Sequence, residues 1–245
     1  MRDSRTKVRV AACQQSLQEP ISEKMLAELQ TWKPDFVCLP EHYPLAAEIK
    51  NLEQAADRFP ERKQHLKDLS RTLDTVVVGG TLTEPTEAGY YNTCYVFDRG
   101  DEAGFYRKVN PTSREQSAGT LRGSEFKIFE LLGLRIGVLI CADVLFTESF
   151  EQLAALRCQI TFVPTASPYK PGESTAEKYE RDHSIFLEGA RKLNCPVIKT
   201  CGVGTTFGHR IQGRSLITTP EKILIRAEPH QEHSSLILTA ELDLL

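Results

Sequence analysis

The sequence predicts a single α/β domain built on a mixed sheet system. Short apolar runs recur along the chain, and runs of roughly four to eight apolar residues are typical of buried strands. Stretches with helical periodicity separate some of these runs and short turns separate others, so both parallel and antiparallel pairs are expected. No repeat, low-complexity tract or linker interrupts the 245 residues. We therefore expect one domain over residues 1–245.

In the first half of the chain, apolar runs alternate with two amphipathic segments. Strands are predicted at Val8 to Ala12, Phe36 to Leu39, Thr75 to Val78, Tyr91 to Phe97 and Gly104 to Lys108. Ser22 is a candidate N-cap for a helix that runs to about Trp32. Leu66, Leu69 and Leu73 repeat at helical spacing and predict a second helix.

The second half continues with strand pairs and two further helices. Strands are predicted at Ile128 to Leu132, Arg135 to Ile140, Ile160 to Val163, Val197 to Thr200, Ser215 to Thr218, Ile223 to Ile225 and Leu236 to Leu242. Helices are predicted from Phe150 to Leu156 and from about Ala176 to Leu193. Within the second helix, His183 has helical spacing to Phe186 and Ala190, so it is expected to be a packed or capping residue. Residues 164–174 and 202–213 read as loops, the second beginning at a glycine turn.

Composition excludes several classes of partner. The formal net charge of −3 gives no basic surface for nucleic acid or for anionic lipid, so a small-molecule substrate is expected. The most apolar stretch, Leu131 to Ala142, contains Arg135 and is too short to cross a bilayer. Without a signal segment at the N-terminus, the seven cysteines indicate a reducing cytoplasm rather than a disulfide framework. No CxxC pair indicates a structural zinc site.

Two charged residues follow apolar runs directly. Glu41 comes just after a buried strand and Pro40, at the strand edge where α/β sheets often place ligands. A general base and a solvated loop glutamate are both compatible with that position. Lys108 ends a strand before a proline turn, where its ammonium group can enter a pocket or face solvent. Glu115 follows seven residues later in a polar loop.

Cys141 has the strongest functional context among the seven cysteines. A buried strand carries it to its C-terminal tip, and a helical segment follows. A sharp strand-to-helix turn exposes a nucleophile and directs backbone N–H groups towards it. The alternative is a buried core cysteine, which suits Cys13, Cys38, Cys94 and Cys158 because they lie in or beside strand-like runs.

These segments, taken in order, resemble the nitrilase superfamily of carbon–nitrogen hydrolases. The three motifs read LPEHYP, FYRKVNPTSRE and RIGVLICADV, with 67 residues from Glu41 to Lys108 and 33 from Lys108 to Cys141. The similarity extends over nearly the whole chain, through ITFVPTASP, IQGRSLITTPEKILIRAE and LILTAELDL. The resemblance implies a four-layer α-β-β-α sandwich, assembled as a homodimer or higher homo-oligomer.

The resemblance also implies roles for the site residues. Glu41 becomes the general base, Lys108 the oxyanion partner, Cys141 the nucleophile and Glu115 an additional active-site glutamate. The backbone N–H of Ala142 is a second oxyanion donor. No metal or organic cofactor is implied. Because Lys108 favours the thiolate and Glu41 opposes it, two resting states are open, and both predict a cysteine more reactive than the core thiols.

The sequence departs from the family pattern in two places. Ala142 replaces the aromatic residue that often follows the cysteine, which leaves room in the pocket. Leu193 takes the acidic position of the family's A-x-E-N helix motif, which is Ala190 to Asn194 here. We predict an amidase-type hydrolase of a linear amide. Nitrile hydrolysis, N-carbamoyl hydrolysis and acyl transfer stay open, as do a non-catalytic dimeric binding module and a redox-sensing thiol protein.

Overall fold

The structure is a computed structural model that describes residues 6–244, so residues 1–5 and 245 of the predicted domain lie outside it. The first strands are β1 (Thr6–Ser16), β2 (Phe36–Cys38), β3 (Val76–Val78), β4 (Leu82–Thr86), β5 (Gly89–Asp98), β6 (Asp101–Arg107) and β7 (Thr120–Leu121). The later strands are β8 (Ile128–Leu131), β9 (Leu134–Val138), β10 (Ile160–Thr165), β11 (Val197–Thr206), β12 (His209–Ile211), β13 (Leu216–Thr218), β14 (Ile223–Arg226) and β15 (Leu236–Leu244).

The strands form two mixed sheets that meet along one edge. In the first sheet β1, β2 and β3 are parallel, β15 pairs antiparallel with β1, and β5 pairs antiparallel with β3, β4 and β6. In the second sheet β9, β10 and β11 are parallel, with β8 and β13 antiparallel to them. Two residue pairs, Gln15 with Gly202 and Ser16 with Val203, join β1 to β11.

Seven α-helices lie among the described residues. They are α1 (Glu23–Trp32), α2 (Leu52–Asp57), α3 (Phe59–Leu73), α4 (Ser113–Ser117), α5 (Thr147–Ala155), α6 (Thr175–Asp182) and α7 (Glu188–Leu193). Ser22 caps α1 as predicted, because its side chain accepts a hydrogen bond from the Met25 N–H. Within residues 6–244 no helix combines the length and apolar character needed to cross a membrane.

Helices and sheets pack as four layers, which confirms the predicted fold class. Side chains alternate across each strand, so Val10 faces the space between the sheets while Ala11 faces the helices. Between the sheets, the rings of Phe36 and Phe162 lie 5.4 Å apart. Helices α1 and α3 cover the outer face of the first sheet, and α5 and α7 cover that of the second. Each sheet is therefore buried on both faces, as its apolar strands require.

The helix predicted from Ala176 to Leu193 is interrupted. Between α6 and α7 the chain forms a π-helical stretch, His183–Leu187. A π turn takes an extra residue, so it shifts the face on which the preceding side chains lie. His183 is consequently exposed, while Phe186 and Ala190 are buried as expected. His183 is therefore not a packed residue, but it is the C-cap of α6, which agrees with the capping alternative for this histidine.

The glycine turn predicted at Gly202 lies inside a strand instead. β11 continues to Thr206 and forms a hairpin with β12. The reversal occurs at Phe207 and Gly208, which have φ of 46° and 81° and so provide the two left-handed positions of a tight hairpin turn. Gly202 is needed for close packing, because a Cβ there would lie 2.7 Å from a methyl group of Leu17.

Candidate active site

The predicted site residues come together in one cavity of about 610 Å³. Glu41 follows β2, Lys108 follows β6 and Cys141 follows β9, so three separate strands position the three side chains. Glu115, from the short helix α4, and Ala142, directly after Cys141, line the same cavity. The structure thus brings together residues that are up to 101 positions apart in sequence, from Glu41 to Ala142.

The ammonium group of Lys108 lies between two carboxylates. Its Nζ donates to Oε1 of Glu41 at 2.9 Å and to the two carboxylate oxygens of Glu115 at 2.7 and 2.9 Å. The Lys108 side chain is only 1% exposed, so water screens these contacts weakly. Burial of a lysine requires such partners, and here two acidic residues provide them.

Asn92 is a site residue that the sequence analysis missed. Its Nδ2 donates to Oε1 of Glu41 at 2.8 Å and to Oε1 of Glu115 at 3.1 Å. Its backbone oxygen also accepts from the Lys108 N–H at 2.9 Å. A polar side chain inside the apolar strand YYNTCYVF was the available signal, since a buried amide needs hydrogen-bond partners.

Ala166, directly after β10, contacts both Glu41 and Cys141. Its backbone N–H donates to Oε2 of Glu41 at 2.9 Å. Its carbonyl oxygen lies 3.9 Å from the Cys141 sulfur, within reach of a weak S–H donor. The backbone of one residue, just beyond the end of β10, therefore contacts both the carboxylate and the thiol.

Cys141 occupies a strained turn. Its φ is 44°, a left-handed conformation that few residues other than glycine adopt. A 3₁₀ turn, Cys141–Leu145, follows at once and leads towards α5. This geometry matches the predicted strand-to-helix turn, and the first helical residue after the turn is Thr147 rather than Phe150. Backbone strain at a reactive residue is common where the surrounding structure holds it in place.

Asp143 provides that support, and it is a second residue whose role the sequence did not reveal. The carboxylate is fully buried and accepts from the Ile140 N–H at 2.9 Å and from the Tyr106 hydroxyl at 2.8 Å. Its other oxygen accepts from the Asn110 N–H at 2.8 Å. Asp143 therefore ties the turn that carries Cys141 to the segment that follows Lys108.

Charges in the cavity determine which groups are protonated. Burial opposes ionisation of Glu41, but the charges of Lys108 and His42 and the hydrogen bonds from Lys108 and Cys141 together outweigh it and lower the pKa of Glu41 to about 2. Burial raises the pKa of the Cys141 thiol well above its ordinary 9.0, and the negative charge of Glu41 raises it further. Lys108 only partly offsets both effects. The expected thiolate-favouring effect of Lys108 is therefore outweighed, and the resting pair is a thiol beside an ionised Glu41.

A family model described as carbon–nitrogen hydrolase matches residues 9–245. The chain belongs to the carbon–nitrogen hydrolase family. This confirms the resemblance read from the motifs, and it confirms the prediction of an amidase-type hydrolase at the level of the family.

Individual relatives are distant from this member of the carbon–nitrogen hydrolase family. A nitrilase of Pyrococcus abyssi is 26% identical over 231 residues, which are 91% of this chain and 82% of the relative. A 2-oxoglutaramate amidase of Bacillus subtilis is 26% identical over 89% of this chain and 81% of its own length. A carbon–nitrogen hydrolase of Helicobacter pylori G27 has the same fold, with a TM-score of 0.81 at 21% identity over 96% of this chain and 89% of that one.

The acidic groups of the cavity raise the question of whether a metal ion could bind there. Ligand atoms of Glu41, His42 and Glu115 lie within 4.8 Å of one another and could hold a metal ion. The Lys108 ammonium, however, already donates to both carboxylates of this group. A metal would have to displace a buried lysine from its two partners, so the donor set favours the ammonium over a divalent ion.

Replacing Glu115 with glutamine is expected to lower kcat about tenfold while the fold is retained. Glu115 orients Lys108 and is itself held by a capping box, in which its Oε2 accepts from the Thr112 N–H at 2.7 Å. A glutamine cannot keep both contacts, and a hydrogen bond to a charged group contributes about 1.5–3 kcal/mol. Steady-state kinetics would measure the change.

Glu102→Gln is the matched control, since Glu102 pairs with Lys63 at 2.8 Å outside the cavity. Equal kinetics for the two variants would assign Glu115 a purely structural position.

Proposed function

We propose that this protein hydrolyses a linear amide through a covalent thioester on Cys141. The observation that carries the proposal is the Lys108 ammonium group held between Glu41 and Glu115 in the cavity that also contains Cys141. An ionised carboxylate beside a protonated thiol forms a base and nucleophile pair at neutral pH. The cytoplasmic location stays a prediction, with which the free state of all seven cysteines agrees.

Each step of the proposed reaction uses a group already positioned in the cavity. Glu41 takes the thiol proton as the Cys141 sulfur attacks the amide carbon. Lys108 Nζ and the Ala142 backbone N–H stabilise the oxyanion that forms. Glu41 then gives the proton to the departing amine, which leaves the acyl group on sulfur as a thioester. Finally Glu41 takes a proton from a water molecule that attacks the thioester. The C–S bond breaks, the carboxylic acid leaves, and Glu41 returns the proton to the Cys141 sulfur.

The charges around the cavity favour an acyl chain that carries a carboxylate of its own. Two acidic residues, Glu41 and Glu115, line the cavity, and both already contact Lys108. Among residues 6–244, four further cations line it without a carboxylate within ion-pair distance: Lys50, Arg114, Lys170 and Arg210. A positive rim on a chain of net charge −3 concentrates anionic substrates at the entrance. The name of the Bacillus subtilis relative, 2-oxoglutaramate amidase, agrees with an anionic amide.

Ammonia release from glutaramate and from pentanamide tests both parts of this proposal, because the two amides differ in one terminal carboxylate. We expect a higher kcat/KM for glutaramate, and we expect Arg210→Gln to lower that value about threefold to tenfold, or ~0.7–1.4 kcal/mol, with little effect on pentanamide. Arg99→Gln is the control, since Arg99 pairs with Asp98 at 2.8 Å away from the cavity. Pentanamide as the better substrate would contradict the anionic preference. A nitrile or an N-carbamoyl compound hydrolysed faster than any amide would overturn the amide assignment.

We also propose the homodimer that the family resemblance implies. Leu145 and Phe146, beside the entrance of the cavity, are 65% and 47% exposed, which is unusual for adjacent large apolar residues. Sedimentation velocity is expected to give about twice the chain mass of 27.5 kDa at micromolar concentration. Leu145→Asp should weaken association, whereas Leu224→Asp, at a residue 39% exposed on the β13–β14 hairpin, should not. A native protein that sediments as a monomer would contradict the proposal.

A further inference from the structure

A second cavity, of about 350 Å³, lies on the other side of the segment that follows Glu41. Its walls come from the chain after β1, from the segment after His42 and from the start of α3. No residue lines both this cavity and the one that holds Cys141. The second cavity is therefore a separate space, and nothing in the proposed amide hydrolysis uses it.

The innermost cationic group of this second cavity is Arg62, whose residue is 6% exposed. Its Nη2 donates to the carbonyl oxygen of His42 at 2.8 Å. Its Nε and Nη1 are buried and have no hydrogen-bond partner among the described residues. No described carboxylate lies within ion-pair distance of Arg62. The neighbouring Glu61 pairs instead with Arg58, at 3.1 Å.

A buried guanidinium with two unused donors is an energetic anomaly. Each buried donor left without a partner costs about 1–3 kcal/mol, and an unpaired buried charge costs more. Native proteins keep such a group where a ligand or an ordered water completes it. A carboxylate is the natural complement, because its oxygens accept several hydrogen bonds and its charge offsets the guanidinium.

The remaining walls restrict the kind of anion. Leu17, Tyr43 and Ile49 are buried apolar residues of the same cavity, and they suit a hydrocarbon body. Three exposed acidic residues also line the cavity: Glu19, Glu48 and Glu61. Their negative charges oppose a second charge on the ligand, so dicarboxylates and phosphate fit less well than a monoanion.

We propose that this cavity binds a small aliphatic monocarboxylate, with its carboxylate on Arg62 and its hydrocarbon part against Leu17 and Ile49. The site does not depend on the proposed amide hydrolysis. Because Arg62 holds the carbonyl oxygen of His42, the residue directly after Glu41, the ligand would lie one hydrogen bond away from the segment that carries the proposed base.

Isothermal titration of the full-length protein with butyrate tests the proposal, with succinate and inorganic phosphate as comparison anions. We expect saturable binding of butyrate, at least fivefold weaker binding of the other two, and at least a tenfold loss of butyrate affinity in Arg62→Met. Arg58→Met, which removes the exposed arginine of the same cavity, is the matched control and should change affinity less than twofold. Circular dichroism would establish that each variant is folded.

A second variant keeps the test decisive if Arg62→Met does not fold. Ala46→Trp places a large side chain in the cavity from a half-buried wall position and leaves Arg62 intact, so it should also abolish butyrate binding. Three results would overturn the proposal. They are no saturable heat with the native protein, butyrate binding that survives when the cavity is filled, and phosphate or succinate binding as tightly as butyrate.

Discussion

Replacing Cys141 with alanine is expected to lower kcat for amide hydrolysis by at least about 10⁴-fold. Removal of a covalent nucleophile takes away the whole low-energy route, and losses near 10⁶ are known for comparable nucleophiles. The residual rate would come from Lys108 and the backbone donors, which can still polarise a bound amide. The fold should persist, because Cys141 lies at the cavity surface and is partly exposed.

Cys13→Ala is the matched control for this loss. Cys13 is fully buried in the core between the first sheet and its helices, and it does not line the cavity that holds Cys141. Its replacement should change stability slightly and kcat little. Comparable activity of Cys141→Ala and Cys13→Ala would remove the proposed mechanism altogether.

Alkylation with sub-stoichiometric iodoacetamide tests independently whether Cys141 is the reactive cysteine. Cys141 is the partly exposed cysteine, and the other six are buried. Cys195 and Cys201 are among the buried six, so they are protected as Cys13, Cys38, Cys94 and Cys158 are. Peptide mapping should find label at Cys141 first, with activity lost in proportion. Label at a core cysteine while activity persists would exclude Cys141 as the nucleophile.

Replacing Glu41 with glutamine is the change with the next largest expected effect, a loss of about 10²–10⁴-fold in kcat. Glutamine keeps the size of the side chain but cannot accept the thiol proton. It also turns a donor towards either the Ala166 N–H or Lys108, where Glu41 now accepts from both. Glu125→Gln, at a surface residue paired with Lys127 at 3.3 Å, is the control.

Alkylation and hydrolysis should respond to Glu41→Gln in opposite directions. The negative charge of Glu41 raises the pKa of the Cys141 thiol, and Lys108 lowers it. Burial still opposes the lysine in the variant, but the opposing charge of the carboxylate is gone, so the thiolate fraction increases. We therefore expect iodoacetamide to react with Cys141 at least as fast as in the native protein, while amide turnover falls. Parallel loss of both would indicate a damaged site rather than a missing base.

The pH dependence of kcat/KM follows from the same carboxylate. Glu41 must be ionised to act as a base, and its pKa is lowered from an ordinary 4.5 to about 2. Its contribution to stability is therefore complete above about pH 4.5 and is lost as the pH falls through 4.5 towards 2. An acid limb assigned to Glu41 should lie below pH 4.5 in the native enzyme and vanish in Glu41→Gln. An acid limb centred near neutral pH in the native enzyme, absent from the variant, would contradict the assigned pKa.

The sequence by itself determined the fold class and the family, and it predicted four side chains that the structure brings into one cavity. Glu41, Lys108 and Cys141 follow apolar runs that are strands for local reasons, and Glu115 is only seven residues from Lys108. Periodicity and the order of motifs are short-range signals, so they can be read along the chain without knowing which strands pair.

Only the tertiary structure decided which other residues complete the site. Asn92 contacts two carboxylates because β5 pairs with β6, and Asp143 joins the turn at Cys141 to Tyr106, which is 37 residues away. The polar residue inside an apolar strand marks Asn92 as a candidate, but the local pattern does not reveal the partners of Asn92 or of Asp143. The π-helical stretch after α6 likewise interrupts the regular helix that the sequence pattern predicts there.

The protonation state of the nucleophile also required three-dimensional information. The sequence placed one cation and one anion near Cys141 but could not weigh them against burial. The structure adds burial of the thiol, and burial together with the negative charge of Glu41 outweighs the effect of Lys108 on the thiol pKa. Charge effects depend on distance and on exclusion of water, and both are properties of the folded arrangement rather than of the order of residues.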